Sequence, residues 1–263
     1  MDRALDFIKK QSIKENSFFA VIWFHAPHSP IVASNTHRAQ YPDQPVEAQH
    51  WFGCITAMDE QIGRLRNSLI ELGISDNTIV WFCSDNGPSY IHDYNSAGPL
   101  RGKKAELYEG GIRVPAILEW PGLFSEPAII NTIASTSDFF PTLLAMVNIE
   151  NAENSAIDGE NIFPVLLNGE NRENPIAFLS PLPVRLKEQT TLDDEQLALI
   201  GQQYKLISID NGITFQLYDL LEDVSESVDI SGEYSEITDS MKTILMKWVL
   251  DVRYDYKMVS SNK

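Results

Sequence analysis

The 263-residue chain is poor in cysteine, in positive charge and in long apolar runs. Each scarcity closes off a class of protein. Cys54 and Cys83 are its only cysteines, one in a helical pattern and one inside an apolar run. That suits two buried thiols and leaves no disulfide framework or cysteine zinc site. The longest wholly apolar run, FFAVIWF at 18–24, falls well short of the roughly 20 residues that span a bilayer, so no membrane span is expected. The opening MDRALDFIKKQ mixes charge into every turn and offers no secretory h-region. Lys+Arg number 20 against 37 Asp+Glu, a net charge of −17, which repels phosphate and argues against nucleic acid as a partner. An anionic ligand would need a local basic patch. GPLRGKKAELYEGGIRV (98–114) holds one, with Arg101, Lys103, Lys104 and Arg113 against Glu106 and Glu109; taken alone, it also suits a solvated loop.

With 43% hydrophobic residues the chain can bury an ordinary core. The pattern predicts a short helix over 2–10 and a buried strand over 17–24 that ends at HAPHSP, where prolines stop pairing. A long helix follows: Trp51, Ile55, Met58, Ile62, Leu65, Leu69 and Leu72 form one apolar stripe, and Gly73 stops it. TIVWFCSDNGP (78–88) then reads as a strand buried on both faces that runs into Asp85, Asn86 and Gly87. Strand, helix, strand is a βαβ unit, which predicts a parallel pair with His28 and Asp85 at the same sheet edge, where open parallel sheets bind ligands. An isolated Asp-Asn-Gly would be only a tight turn.

RVPAILEWPG (113–122) predicts another buried strand, and TSDFFPTLLAMV (136–147) a helix entered through a Ser or Asp cap. From about 176, PIAFLSP, QYKLISI and ITFQLYDL predict short antiparallel strands, closed by a helix around MKTILMKWVLDVRYDY. EDVSESVDISGEYSEITD (222–239), with seven acids and no base, reads as a solvated surface segment. The polar segment 168–174 marks a boundary: a mostly parallel α/β domain over 1–170, its sheet sandwiched by helices, and an antiparallel α+β subdomain with a packing helix over 171–263.

WFHAPHSP, GCITAMDEQIGRL, IVWFCSDNG, GPLRGKKAELYEGGIRVPAILEWPG and TSDFFPTLLAMV, in this order, resemble the sulfatase family of the alkaline phosphatase superfamily. The resemblance is close over 3–150; further on, QLYDLLEDVSE is similar to the family's late Tyr-Asp-Leu segment. It implies that Asp85 and Asn86 are ligands of a divalent cation, usually Ca²⁺, with Mg²⁺ as the alternative. Hard carboxylate and amide oxygens suit both ions. It implies that Lys104 holds a sulfate oxygen and that His28 contacts the sulfate and the leaving oxygen. Arg101 and Lys103 are further substrate-binding candidates, and Lys103 stands where the family often has glycine. Glu109 and Arg113 are expected to fix the loop through an ion pair or backbone contacts. His25 reads as structural, and His37, His50 and His92 have no constellation around them.

Sulfatases attack sulfur with a formylglycine made within a Cys/Ser-x-Pro/Ala-x-Arg motif, which this sequence does not contain. CITAM, CSDNG, SEPAI (125–129) and PLPVR (181–185) each miss an element of it. The resemblance therefore predicts a sulfuric ester hydrolase present as an incomplete or split chain. The formylglycine is expected in an N-terminal half that is missing here or separately encoded. The substrate expected from the family is a sulfate ester, for example on a sulfated polysaccharide. A non-catalytic module that binds a sulfated ligand or pairs with such a half is the alternative. A phosphate or phosphonate esterase is disfavoured by Asn86, where phosphatase relatives often have histidine. Family members are often periplasmic or secreted, and no signal peptide is visible here.

Overall fold

The structure is a computed structural model that describes residues 1–90, 94–150, 157–181 and 195–261, with side chains through Tyr254. His92 and the part of PLPVR beyond Pro181 lie outside the described residues. The chain forms two compact units: Met1–Ser84, Ile91–Tyr94 and Pro115–Pro127 make the first, and Asp85–Tyr90, Asn95–Val114 and Ala128–Lys263 the second. These units cut the chain elsewhere than at residue 170, and the basic loop goes with the C-terminal sheet.

In the first unit, helix α1 (Asp2–Ile13) buries Ile8 and sets Phe7 edge-on to Phe18, with ring centroids 6.2 Å apart. Helices α2 (Asn35–Arg38) and α3 (Val46–Glu71) follow. At Gly53 of α3 an added Cβ would lie 2.8 Å from the Ala33 Cβ, so the glycine lets the helix sit against the segment that leads into α2. The predicted stop is observed, with Gly73 at φ +68° just past the helix end. The α3 stripe is only half-buried apart from Leu69.

Strands β1 (Val80–Cys83) and β2 (Ala116–Glu119) pair antiparallel, from Val80 opposite Glu119 to Cys83 opposite Ala116. This differs from expectation in three ways. The segment 17–24 joins no sheet, so no parallel βαβ pair forms among the described residues. Phe18, Ile22 and Phe24 are half-buried, while Phe19, Ala20, Val21 and Trp23 are exposed, Trp23 at 91%; from Val21 onward the exposure alternates with period two. β1, with a single neighbour among the described residues, is half-buried, and β2 leaves Ile117 exposed. An apolar run records that a strand can be covered, and pairing partners decide whether it is. His28 and Asp85 fall in different units.

The second unit carries α4 (Glu109–Ile112), α5 (Phe139–Met146), α6 (Phe163–Asn168) and α7 (Ser235–Ser261) around strands β3 (Ile176–Pro181), β4 (Glu195–Ile200), β5 (Tyr204–Ser208) and β6 (Gln216–Asp219). The expected antiparallel sheet is present, in order β3-β4-β5-β6. β4 is a strand that the sequence reading did not single out. The chain enters α5 through a short 3₁₀ turn capped by Ser135, one residue before the segment read as the helix, which forms a capping box with Asp138; Asp138, at the N-cap of α5 itself, makes no cap hydrogen bond there. Buried Asp138 also binds Arg172 at 2.6 Å.

Alternation along the strands divides the sheet between two cores. Leu197, Leu199, Leu206 and Leu217 face Met241, Leu245 and Val249 of α7. The next residues in line, Ala198, Ile207 and Tyr218, face Leu107 and Tyr108 of the basic loop. A one-residue slip would exchange the faces, so this burial sets the register. Leu206 and Leu245 are fully buried; truncating either to alanine is expected to cost about 2–5 kcal/mol in urea unfolding. Leu250→Ala, on an α7 side chain 64% exposed, is expected to stay within about 0.5 kcal/mol of wild type.

Candidate functional site

The site in the second unit is assembled backbone to backbone. The Gly87 N–H donates to the Gly111 carbonyl at 2.8 Å, the Gly110 N–H to Arg101 at 2.6 Å, and the Lys104 N–H to Pro88 at 2.9 Å. Three stretches, 86–88, 101–104 and 109–111, are thereby strapped together. Side chains would prevent it: a Cβ on Gly87 would overlap the Gly110 carbonyl oxygen, and one on Gly110 would lie 2.6 Å from the Arg101 oxygen. The Gly-Gly of EGG and the glycine of SDNG are therefore read as close-approach positions. The structure thus brings Asp85, Asn86, Arg101, Lys103 and Lys104 into one loop cluster, while His28 lies in the first unit and is described by itself.

The charged groups of the cluster divide sharply. The Arg101 guanidinium lies 3.9 Å over the Tyr108 ring, and its Nη1 donates to the Tyr218 hydroxyl and the Glu226 carbonyl, both at 2.9 Å. The Lys103 ammonium is 5.4 Å from the centre of the Tyr90 ring. Glu109 pairs with Arg113 at 3.6 Å, the loop-fixing contact expected from the sequence, and with Lys205 at 3.0 Å. The Asn86 amide Nδ2 donates to the Gly87 carbonyl at 2.8 Å. The exposed Asp85 carboxylate and the half-buried Lys104 ammonium take part in no hydrogen bond or ion pair among the described residues.

Asp85 and Asn86 offer hard oxygens, the donor type that Ca²⁺ and Mg²⁺ take, but only two residues of the six to eight ligands typical of Ca²⁺. Among the described residues no group of three or more His, Cys, Asp or Glu gathers as a metal site. The two residues fit a hard cation as part of its ligand set.

Three residues missed from the sequence hold this loop. Buried Gln196 accepts the Leu107 N–H at 3.0 Å and donates to the Ala105 carbonyl at 2.7 Å. Lys205, fully buried on β5, sits between Glu109 and Glu226. Glu226, in the acidic stretch expected to be solvated, is buried instead. Burial pushes its carboxyl above the ordinary carboxylate range, against the pull of Lys205. A single signal was available: Lys205 stands mid-strand with Ile207 two places on, at an inward position of the period-two pattern.

In the first unit, His28 Nδ1 lies 2.9 Å from the Ser29 carbonyl and its ring centroid 5.6 Å from that of His25. A carbonyl can only accept, so Nδ1 carries a proton and Nε2 is the nitrogen left for chemistry. His37 bonds Glu60 at 2.9 Å, and His50 accepts the Ala33 N–H at 3.0 Å. Both have structural partners. Cys54 and Cys83 are free thiols; burial raises the Cys54 pKa and keeps it from the thiolate form.

The family model described as Sulfatase matches residues 1–149, and one described as N-sulphoglucosamine sulphohydrolase, C-terminal, matches 103–250. The chain belongs to the sulfatase family. It is 33% identical over 186 residues to N-acetylgalactosamine-6-sulfatase of Sus scrofa, covering 68% of this chain and 34% of that protein. It is 30% identical over 254 residues to a sulfatase of Formosa agariphila, covering 88% and 45%. The crystal structure of Ps i-CgsB in complex with k-i-k-neocarrahexaose matches with TM-score 0.85 at 28% identity, over 94% of this chain and 53% of that one. The chain thus spans about a third to a half of the length of these relatives. Their fold is the mixed α/β, alkaline phosphatase-like class expected from the sequence.

Two measurements check the site's construction. Gly87→Ala is expected to lose at least about 2 kcal/mol of stability, because its Cβ meets backbone that cannot yield. Burial pushes the Tyr108 phenol up to about 12, and raises Tyr218 as well. In a spectroscopic titration, Tyr108→Phe should remove a phenol that ionises late.

Proposed function

We propose that this chain supplies one side of a sulfate-ester-hydrolysing site. Lys104 is its sulfate-binding cation, and Asp85 and Asn86 are oxygen ligands of a Ca²⁺ or Mg²⁺ ion; for His28, in the first unit, it is the resemblance to the family that supports a role at the leaving alcohol. The observation that carries the reading is the division of charge in the loop cluster. Arg101, Lys103, Glu109 and Arg113 are engaged with neighbours. Lys104 and Asp85, one cation and one anion, are left to meet a ligand.

The Lys104 ammonium would bind and orient a sulfate oxygen and oppose the charge that builds on it as the S–O bond breaks. The cation, when bound, would supply further electrostatic stabilisation of the sulfate oxygens. Asp85 would contribute coordination and charge neutralisation, Asn86 only a dipole. With Nδ1 donating to Ser29, a protonated His28 would present Nε2–H to the departing oxygen. The names of N-acetylgalactosamine-6-sulfatase and of the neocarrahexaose complex support a sulfated carbohydrate as substrate class. The nucleophile is expected from outside the sequence given, since that sequence lacks the formylglycine motif and Cys54 is buried and protonated.

The test joins this chain to the N-terminal portion of the Formosa agariphila relative and follows Ca²⁺ affinity and turnover of an aryl sulfate. The 263-residue chain alone is expected to be inactive. In the joined protein, Asp85→Ala should weaken Ca²⁺ binding more than Asn86→Ala. Lys104→Ala should lower kcat/KM by at least about tenfold, the scale of one lost charge-assisted hydrogen bond. His28→Ala should spare Ca²⁺ binding and slow substrates with high-pKa leaving alcohols most. Unchanged Ca²⁺ affinity in Asp85→Ala would reduce SDNG to a tight turn.

The partner-dependent reading has its own support in the exposed Phe19, Val21 and Trp23 on a segment that joins no sheet. Apolar extended chain with unpaired backbone promotes association. In sedimentation velocity the isolated chain is expected to self-associate, and Phe19→Ser with Trp23→Ser should reduce this. A monodisperse monomer with cooperative unfolding would instead favour a self-sufficient sulfated-ligand-binding module.

A further inference from the structure

We infer that Lys205 of the C-terminal sheet, acting through Glu109 and Glu226, is the positioning residue for the loop cluster that holds Asp85, Asn86 and Lys104. The inference rests on the reading of those three residues as the site. Strand register puts Lys205 opposite Tyr218, on the sheet face that carries Ile207 and Ala198 beneath Leu107 and Tyr108. An ammonium there has no water to solvate it and requires carboxylates. Its Nζ lies 3.0 Å from Glu109 Oε1 and 2.9 Å from Glu226 Oε1, the latter an ion pair without an aligned hydrogen bond. Glu226 Oε2 accepts the Glu109 backbone N–H at 2.6 Å, and the Glu226 carbonyl accepts from Arg101.

Glu109 is therefore held by side chain and backbone together. The next two residues, Gly110 and Gly111, bond Arg101 and Gly87. Contact runs from the sheet lysine to the glutamate, to the glycine elbow, and from there to SDNG and to the Lys104 loop. Apolar contacts alone would tolerate a shift of the loop along the sheet, whereas two carboxylates on one buried ammonium permit one placement.

Amide hydrogen exchange on the full chain tests this. In Lys205→Met, the amides of Gly87, Lys104, Gly110 and Gly111 should lose protection by at least about tenfold more than those of β3–β6, as local opening predicts. Glu226→Gln, which keeps the Lys205–Glu109 pair, should show a smaller loss at the same amides, and it decides the matter if Lys205→Met does not fold. Uniform loss across the sheet and loop, or no selective loss in either variant, overturns the inference and leaves Lys205 a general stabiliser. Binding of inorganic sulfate separates the two readings. Lys104→Ala and folded Lys205→Met should both weaken it, whereas Lys205→Met with undiminished sulfate affinity counts against positioning. Wild-type chain that shows no sulfate binding removes the support for Lys104 as ligand, and the exchange pattern then decides the positioning role alone.

Discussion

A buried ammonium sets the terms for the second unit. Lys205 is fully enclosed, and the desolvation of a charge in that position is offset only when opposite charges sit close and in good geometry. Two carboxylates are recruited from distant parts of the chain, Glu109 from the basic loop and Glu226 from the acidic stretch after β6. Glu226, tied as well to the Glu109 N–H and to Arg101, joins loop and sheet a second time. With Gln196 holding residues 105 and 107, the loop is anchored to the sheet by polar contacts whose partners are buried.

The anchoring accounts for the chemistry left at the surface. Most charges in the loop cluster serve its construction, and Asp85 and Lys104 stand apart from that work. In a chain of net charge −17, any anionic ligand would approach against long-range repulsion, so attraction would have to come from a few positive charges at close range. Salt screens such repulsion over about 10 Å or less and would leave a direct contact between an ammonium and an anion less affected. The glycines enter for a related reason: backbone N–H groups reach their carbonyls across three strapped stretches only where no Cβ intervenes.

Much of the architecture was legible in local pattern. α1, α3 with its glycine stop, the capped entry to α5, and most strands of the C-terminal sheet stand close to where periodicity and turn residues place them. The site candidates were legible because SDNG and LRGKK carry residue types whose burial would be costly without a purpose, and because their order resembles a known family. Pairing was not legible. The run at 17–24 has the composition of a covered strand, yet its burial depends on a neighbour that composition does not name. β1 likewise finds β2 in antiparallel register, where the βαβ pattern predicts a parallel partner.

By itself the sequence determined which segments favour helix, which alternate as strands, and which side chains offer oxygen ligands or positive charge. These properties depend on neighbours within a few positions and on intrinsic side-chain chemistry. Only the tertiary structure decided that Glu226 lies buried in an otherwise acidic stretch and that Lys205 faces the loop. It also decided that, of two adjacent lysines, Lys103 faces Tyr90 while the Lys104 ammonium makes no hydrogen bond or ion pair among the described residues. Such outcomes follow from desolvation and pairing between groups about a hundred residues apart, and no local pattern encodes those distances.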